Sequence, residues 1–239
     1  MKLGIISPSK VLTVFIKENM SCGLYSENEG IRVTHGKLWG KVICLFELSE
    51  KNERFRDKKV AGLLSEYRVG QLLSFDIGRT NEPWLQEGDI VLSSDAQLWQ
   101  VDSKGLLVNA KSLAAHPKLM DKVLSALERY KTEEVDTKAV VGSISTYQPG
   151  AVAPKGFIPP PNTKTINCWD MDGYYLAEFC EQAKIPWVLV RLVLDSDHEI
   201  EELPPNLKWD MAKKCFWIVK GVVDSTNLAK GAKKARKLT

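Results

Sequence analysis

CWDMDGYYLAEFCEQAKIPWVLVRLVLDSD, Cys168 to Asp197, decides the reading of this chain. Its first half is amphipathic and predicts a helix from Met171 to about Lys184. Its second half is a nearly unbroken apolar run and predicts a buried strand from Trp187 to Leu194. Carboxylates stand at both ends: Asp170 and Asp172 before the helix, Asp195 and Asp197 after the strand. Helix chemistry alone accounts for the first two, Asp170 as an N-cap and Asp172 as a first-turn acid at the positive end of the dipole. Asp197 and His198 read as turn residues.

Upstream of this stretch the same two periodicities recur. KLGIIS at the N-terminus predicts a buried strand, and the run after it has helical spacing at Val11, Val14, Phe15 and Ile16. GIRVTHGKLWGKVICLFEL predicts two strands about a glycine-containing turn. DKKVAGLLSEY predicts a helix, VGQLLSFDIG a strand, and LQEGDIVLSSDAQLW a turn leading into a strand. HPKLMDKVLSALERYK is the clearest helix, with Pro117 in its first turn and Leu119, Val123, Leu124 and Leu127 as its apolar stripe. KAVVGSIS is again strand-like, and a last helix is compatible with Leu207 to Val223. Between residues 148 and 164 lie five prolines and two glycines. A loop of that length in a compact domain is a candidate cover for a site.

Strands alternating with helices argue for a single α/β domain, and the hairpin-like region makes its central β-sheet mixed, with helices flanking it. The domain is expected over residues 1–225, followed by a basic tail, 226–239. In open α/β sheets ligands gather beyond the carboxyl ends of strands. That rule points at Ser7 onward, Asp76 to Arg79, Ser143 to Tyr147, and Asp195 to Asp197.

Whole-chain chemistry narrows the classes of function. The 239 residues, 44% hydrophobic, suffice for one substantial core. A net charge of +3 creates no general field for nucleic acid. Only the last ten residues, KGAKKARKLT, concentrate basic groups, five of them, and such a tail reads as a solvated end. The five cysteines lack CxxC pairing and metal-ligand spacing, so free thiols in a reducing compartment are expected, with Cys44 and Cys180 in the core. No run approaches the ~20 apolar residues of a membrane span, and no secretory leader is recognisable. A soluble cytoplasmic protein without metal or cofactor is the expectation.

The motifs of the opening stretch, together with MKLGII and EGDIVLSSDA, resemble the purine nucleoside phosphorylase and nucleosidase superfamily. The likeness is nearest to its methylthioadenosine/S-adenosylhomocysteine nucleosidase branch. That branch carries E-M-E-(small) at a helix start, a G-(V/I)-P-F break and a strand ending R-A-I-S-D. Here the corresponding residues are Asp170-Met171-Asp172-Gly173, Lys184-Ile185-Pro186-Trp187 and Arg191-Leu192-Val193-Leu194-Asp195. The resemblance implies that Asp172 holds the ribose hydroxyls and that Met171 packs against the sugar. It implies that Asp195 protonates or hydrogen-bonds the purine as the glycosidic bond breaks. The family's S-G-D-A-F segment corresponds to Ser143-Ile144-Ser145-Thr146-Tyr147 and puts Tyr147 under the base. The implied partners are a purine nucleoside or thionucleoside and a second copy of the chain in a homodimer.

The sequence also departs from the family pattern. Its water-activating glutamate falls on Leu12, and no carboxylate occurs between Met1 and Lys17. The G-S-A-G-G loop reads Asp76-Ile77-Gly78-Arg79-Thr80, which makes Asp76 the candidate substitute base. Both helix-start glutamates are shortened to aspartate. The expectation is therefore a weakened nucleosidase, hydrolytic rather than phosphorolytic. In it Leu12→Glu raises any basal rate if the rest of the site is intact and does nothing if Asp76, Ile77 and Arg79 close the pocket. The alternative is a catalytically inactive relative that serves as a nucleoside-binding or interaction module.

Overall fold

A computed structural model describes residues 1–28, 30–48, 58–80, 82–104, 106–131, 138–147, 166–194, 200 and 202–224. Asp195, Asp197, His198, the proline-rich segment 148–164 and the basic tail lie outside the described residues. Within them the chain forms ten strands and five helices. The first half runs β1 (Lys2–Ser7), α1 (Lys10–Glu18), β2 (Ser21–Asn28), β3 (Ile31–Leu38), β4 (Lys41–Leu48), α2 (Lys58–Glu66) and β5 (Val69–Gly78). The second runs β6 (Ile90–Val101), β7 (Leu107–Ala114), α3 (Pro117–Lys131), β8 (Ala139–Tyr147), β9 (Ile166–Asp170), α4 (Gly173–Gln182), β10 (Trp187–Val193) and α5 (Pro205–Asp224).

The apolar run of β10 explains its place. All seven of its residues are buried, which requires cover on both faces and a neighbour on both edges. It lies between β5, to which it is parallel, and β6, to which it is antiparallel. The sheet order is β2-β3-β4-β1-β5-β10-β6-β8-β9, with β7 paired to β6. It is a mixed sheet in one α/β domain, as the alternation of elements predicts. Alternate residues of β10 feed two cores. Val188, Val190 and Leu192 face one built with α1, α3 and α5, while Trp187, Leu189 and Val193 face another built with α4 and α2.

The far end of the sheet turns back on itself. Arg79, just past β5, forms an antiparallel bridge with Trp169 of β9. The strands from β5 through β10, β6 and β8 to β9 thus curl towards closure. That curl brings the carboxyl ends of β5 and β9 together.

Three strands escape the sequence patterns: β2, β7 and β9. The first two carry polar side chains on exposed faces, and β9 is only five residues long. The hairpin predicted between residues 31 and 46 is present as β3 and β4. Its turn holds Trp39 at φ 47° and Gly40 at φ 77°, the positive-φ geometry that matches strand twist. Gly40 adopts this without steric cost. Trp39 does not, and it is held there by packing on Phe216, with ring centroids 5.3 Å apart.

Helix α1 corrects two expectations. Its buried face is Leu12, Thr13 and Ile16, whereas Val14 is exposed. Phe15 packs edge-on against Trp209 of α5 at 4.8 Å. The cause is a polar contact that apolar periodicity ignores. Glu47, buried at the end of β4, accepts a 2.6 Å hydrogen bond from Thr13 Oγ1 and pairs with Lys17 Nζ at 3.0 Å. This turns residue 13 towards the sheet. Leu12 then sits fully buried in the core with α5.

A glutamate at position 12 would therefore strand a carboxylate in apolar surroundings rather than meet a substrate. Leu12→Glu is expected to lose about 3 kcal/mol of stability. The measurement is the urea midpoint at pH 7, and an unchanged midpoint would show that the position opens to solvent. As expected, Cys44 and Cys180 are core residues; Cys168 and Cys215 are buried as well. Among the described residues no helix is long and apolar enough to cross a membrane.

Candidate active site

Arg191 is the one charge in an otherwise apolar strand, and it is fully buried. A buried guanidinium must find partners for its donors or the fold loses the cost of dehydrating it. It finds Asp170, the last residue of β9. Nε and Nη2 of Arg191 both reach Asp170 Oδ2, at 2.7 and 2.6 Å. Nη1 donates to the backbone oxygens of Ser74 at 3.1 Å and Val190 at 3.2 Å, and to Ser74 Oγ at 3.3 Å.

The other oxygen of Asp170 completes the network. Asp170 Oδ1 accepts from Thr146 Oγ1 at 2.6 Å and from the Gly173 backbone N–H at 3.0 Å. Thr146 Oγ1 in turn accepts from Tyr174 N–H at 2.9 Å. Two of the orphan N–H donors in the first turn of α4, those of Gly173 and Tyr174, are thus satisfied from β9 and β8. A Cβ at residue 173 would collide with the Asp170 carboxylate and crowd Leu189 and Arg191. Glycine is the residue that allows the helix to start this close.

The capping assignment needs correction. Helix α4 begins at Gly173 rather than Met171, so the N-cap residue is Asp172, whose side chain makes no capping bond. Asp170, expected as the N-cap, accepts the Gly173 N–H from the end of β9 and is primarily the counter-ion of Arg191. Asp172 is 2% exposed and Met171 is 50% exposed. The short β9–α4 turn therefore alternates a buried carboxylate, an accessible thioether and a second buried carboxylate.

Asp76 joins them from β5. It is the register partner of Arg191 across the β5–β10 pair, so both side chains project from the same face. Burial pushes its carboxyl up to about 7; the charge of Arg191 opposes the shift, and those of Asp170 and Asp172 add to it. Asp76 Oδ1 also accepts the Ile77 N–H at 2.8 Å. A carboxyl that titrates near neutrality can give and take a proton at working pH.

The raised pKa has a consequence for stability. The folded state holds the Asp76 proton more tightly than the unfolded chain does. The resulting stabilisation is complete below pH ~4 and is lost as pH rises to about 7. The wild type should lose on the order of 2–4 kcal/mol over that window relative to Asp76→Asn. Urea unfolding of both at pH 5 and pH 8.5 measures it, with the variant gaining at the higher pH. Parallel pH profiles would show that Asp76 titrates as an ordinary surface carboxylate.

Tyr147 ends β8 on the opposite face from Thr146. It stacks on Trp169, which lies opposite Asp170 in the same sense, with centroids 5.1 Å apart and rings 19° from parallel. Its hydroxyl is buried and has no hydrogen-bond partner among the described residues. Burial raises the phenol pKa above its ordinary value.

The structure therefore brings Asp76 and Asp172 together about Arg191 and Asp170. It sets Tyr147 and Met171 at the rim of the same strand ends. Leu194 N–H donates to Gly78 O at 3.0 Å, which carries the chain past β10 to the end of β5. Asp195 itself is outside the described residues. Sequence reasoning missed Asp170, Arg191, Thr146 and Trp169 as parts of the arrangement. The available signal was the solitary arginine in WVLVRLVL, which demands a buried acid.

No family model matches the sequence. The chain is 24% identical over 216 residues to the 5′-methylthioadenosine/S-adenosylhomocysteine nucleosidase of Colwellia psychrerythraea, covering 84% of this chain and 88% of that enzyme. A crystal structure of a nucleosidase of that name from the same organism, in complex with adenine, matches with a TM-score of 0.70 at 22% identity. The match covers 93% of this chain and 94% of that one. The Neisseria meningitidis enzyme of the same name, in complex with methylthio-immucillin-A, matches with a TM-score of 0.72 at 17% identity, covering 94% and 99%. The fold is that of the purine nucleoside phosphorylase and nucleosidase superfamily across nearly the whole chain, in agreement with the motif resemblance.

Proposed function

We propose that this chain, with its nucleoside phosphorylase and nucleosidase fold, is a nucleosidase. It cleaves the N-glycosidic bond of a purine nucleoside or thionucleoside of the methylthioadenosine/S-adenosylhomocysteine type. The observation that carries the reading is the position of Asp172, a buried carboxylate at the start of α4. It lies beyond the end of β9 and within electrostatic reach of Asp76. The ligands bound in the structural neighbours, adenine and methylthio-immucillin-A, supply the substrate class.

Breaking this bond builds positive charge on the sugar and negative charge on the departing base. Asp172 accepts hydrogen bonds from the ribose hydroxyls and, with Met171 beside the sugar, fixes the ring. The carboxylate stabilises the cationic sugar as it forms. Tyr147 stacks on the base. Asp195 supplies the proton or hydrogen bond that the base nitrogen takes as it accepts the bonding electrons. Asp76, ionised in part near pH 7, takes a proton from the water that adds to the sugar carbon. The products are free base and the hydrolysed sugar, and the proton lost by water balances the one taken by the base.

Leu12 contributes nothing to water activation from inside the core, so turnover is expected to be slow. General-base assistance is worth about 10²–10⁴-fold, and a base at another position recovers only part of it. The experiment is incubation of the purified protein with a panel of purine nucleosides and thionucleosides, with and without phosphate. Phosphate-independent release of free base is the expected result. Base release that requires phosphate would make the protein a phosphorylase, and none from any member of the panel would leave a binding module. Assembly as a homodimer belongs to the same reading, and light scattering tests it.

A further inference from the structure

We infer that the Thr146 hydroxyl caps helix α4 in place of Asp172, and so is the positioning group that leaves the Asp172 carboxylate to the substrate. The second half of the inference rests on the nucleosidase reading; the exchange of caps does not. An aspartate in the N-cap position ordinarily accepts the N–H of the second or third helical residue with its own carboxylate. In α4 the second residue is Tyr174, and its N–H goes to Thr146 Oγ1 at 2.9 Å. The first, Gly173, donates to Asp170 Oδ1 at 3.0 Å. Asp172, the N-cap by position, makes no capping bond, and its φ of −136° with ψ of −9° departs from the extended backbone usual there.

One oxygen holds the turn from both sides. The Tyr174 N–H can only donate, so Thr146 Oγ1 accepts there, and its single proton goes to Asp170 Oδ1 at 2.6 Å. Asp170 and Tyr174 flank Asp172 before and after it in the chain. Thr146 is the register partner of Asp170 in the β8–β9 pair, so the sheet itself delivers the hydroxyl. Asp170 is anchored in turn by Arg191. Thr146 and Tyr174 are both buried, so solvent does not take over either bond. The γ-methyl of Thr146 restricts its rotation and keeps the hydroxyl on this bearing. Without that hydroxyl the helix falls back on its own N-cap residue, and aspartate is among the best N-cap side chains. An Asp172 carboxylate turned back to the Tyr174 N–H no longer meets the ribose hydroxyls.

Two measurements on the full chain test this, one of them independent of turnover. In urea unfolding, Thr146→Val should lower the midpoint about twice as far in the Asp172→Ala background as in the wild type, because only the wild type has a cap in reserve. In base release from methylthioadenosine, Thr146→Val should lower kcat/KM by about tenfold or more, with KM raised as well as kcat lowered. That split separates a withdrawn carboxylate from the neutral amide of Asp172→Asn, whose loss falls on kcat. Thr146→Ser keeps the oxygen and its proton and should stay within about threefold of the wild type. Thr146→Ala should follow Thr146→Val, and stands in for it if the second methyl of valine prevents folding. Equal midpoint losses in the two backgrounds, or wild-type kcat/KM in folded Thr146→Val, would overturn the inference. A background-dependent midpoint with no base release even from the wild type would sink the nucleosidase reading while leaving the exchange of caps standing.

Discussion

Arg191→Met should lose about 3–5 kcal/mol of folding stability, the effect expected when one partner of a buried ion pair is removed and the other is left without its counter-charge. Asp170 would keep the hydrogen bonds from Thr146 and Gly173. It would lose both guanidinium contacts in a place where water does not reach. The methionine fills much of the arginine's volume, so the loss reports charge rather than a cavity. Asp170→Asn in the same background should recover a substantial part of it, because a neutral amide needs no counter-ion. Urea unfolding of the two single variants and the double variant gives the coupling directly. An Arg191→Met variant within about 1 kcal/mol of the wild type would mean that the pair is solvated and does not organise the strand ends.

Asp172→Asn should lower kcat/KM for the cleaved nucleoside by about 100-fold, the order of one charge-assisted hydrogen bond to a group that gains positive character in the transition state. The loss should fall mainly on kcat. The asparagine still meets the ribose hydroxyls in the ground state but no longer stabilises the cationic sugar. Stability should hold or rise, since Asp172 makes no capping bond and its charge works against that of Asp76. A change smaller than about threefold would remove Asp172 from the reacting centre.

These two effects mark the boundary of what the sequence reveals. The α4–β10 unit was legible because a 3.6-residue period gives way to a run of apolar residues across a Lys-Ile-Pro break. Only a helix packed on a central strand satisfies both. The mixed sheet followed from the hairpin at β3 and β4. By contrast, β9 has five residues and little periodicity, so nothing in its own composition announces that it closes the sheet onto β5. That closure makes Asp170 a counter-ion instead of an N-cap.

The reading of α1 failed for a related reason. Apolar spacing cannot register that Glu47, thirty-four positions away from Thr13, is buried and needs a hydroxyl. Residue type and position together singled out Asp172 and Asp76, which the structure buries near each other. The site was illegible where the partner is supplied by topology, at Arg191 with Asp170 and at Trp169 with Arg79. Long-range polar pairing leaves no local period, so a solitary charge in an apolar strand is the trace it leaves in sequence.

Single-turnover incubation of S-adenosylhomocysteine with excess protein, free of phosphate and followed by quantifying released adenine, tests the central claim most directly. It detects a slow hydrolase that steady-state assays miss. Stoichiometric adenine from the wild type, with release strongly slowed in Asp172→Asn, is the predicted result. Nucleoside recovered intact from the wild type, or adenine released equally fast by Asp172→Asn, would contradict it.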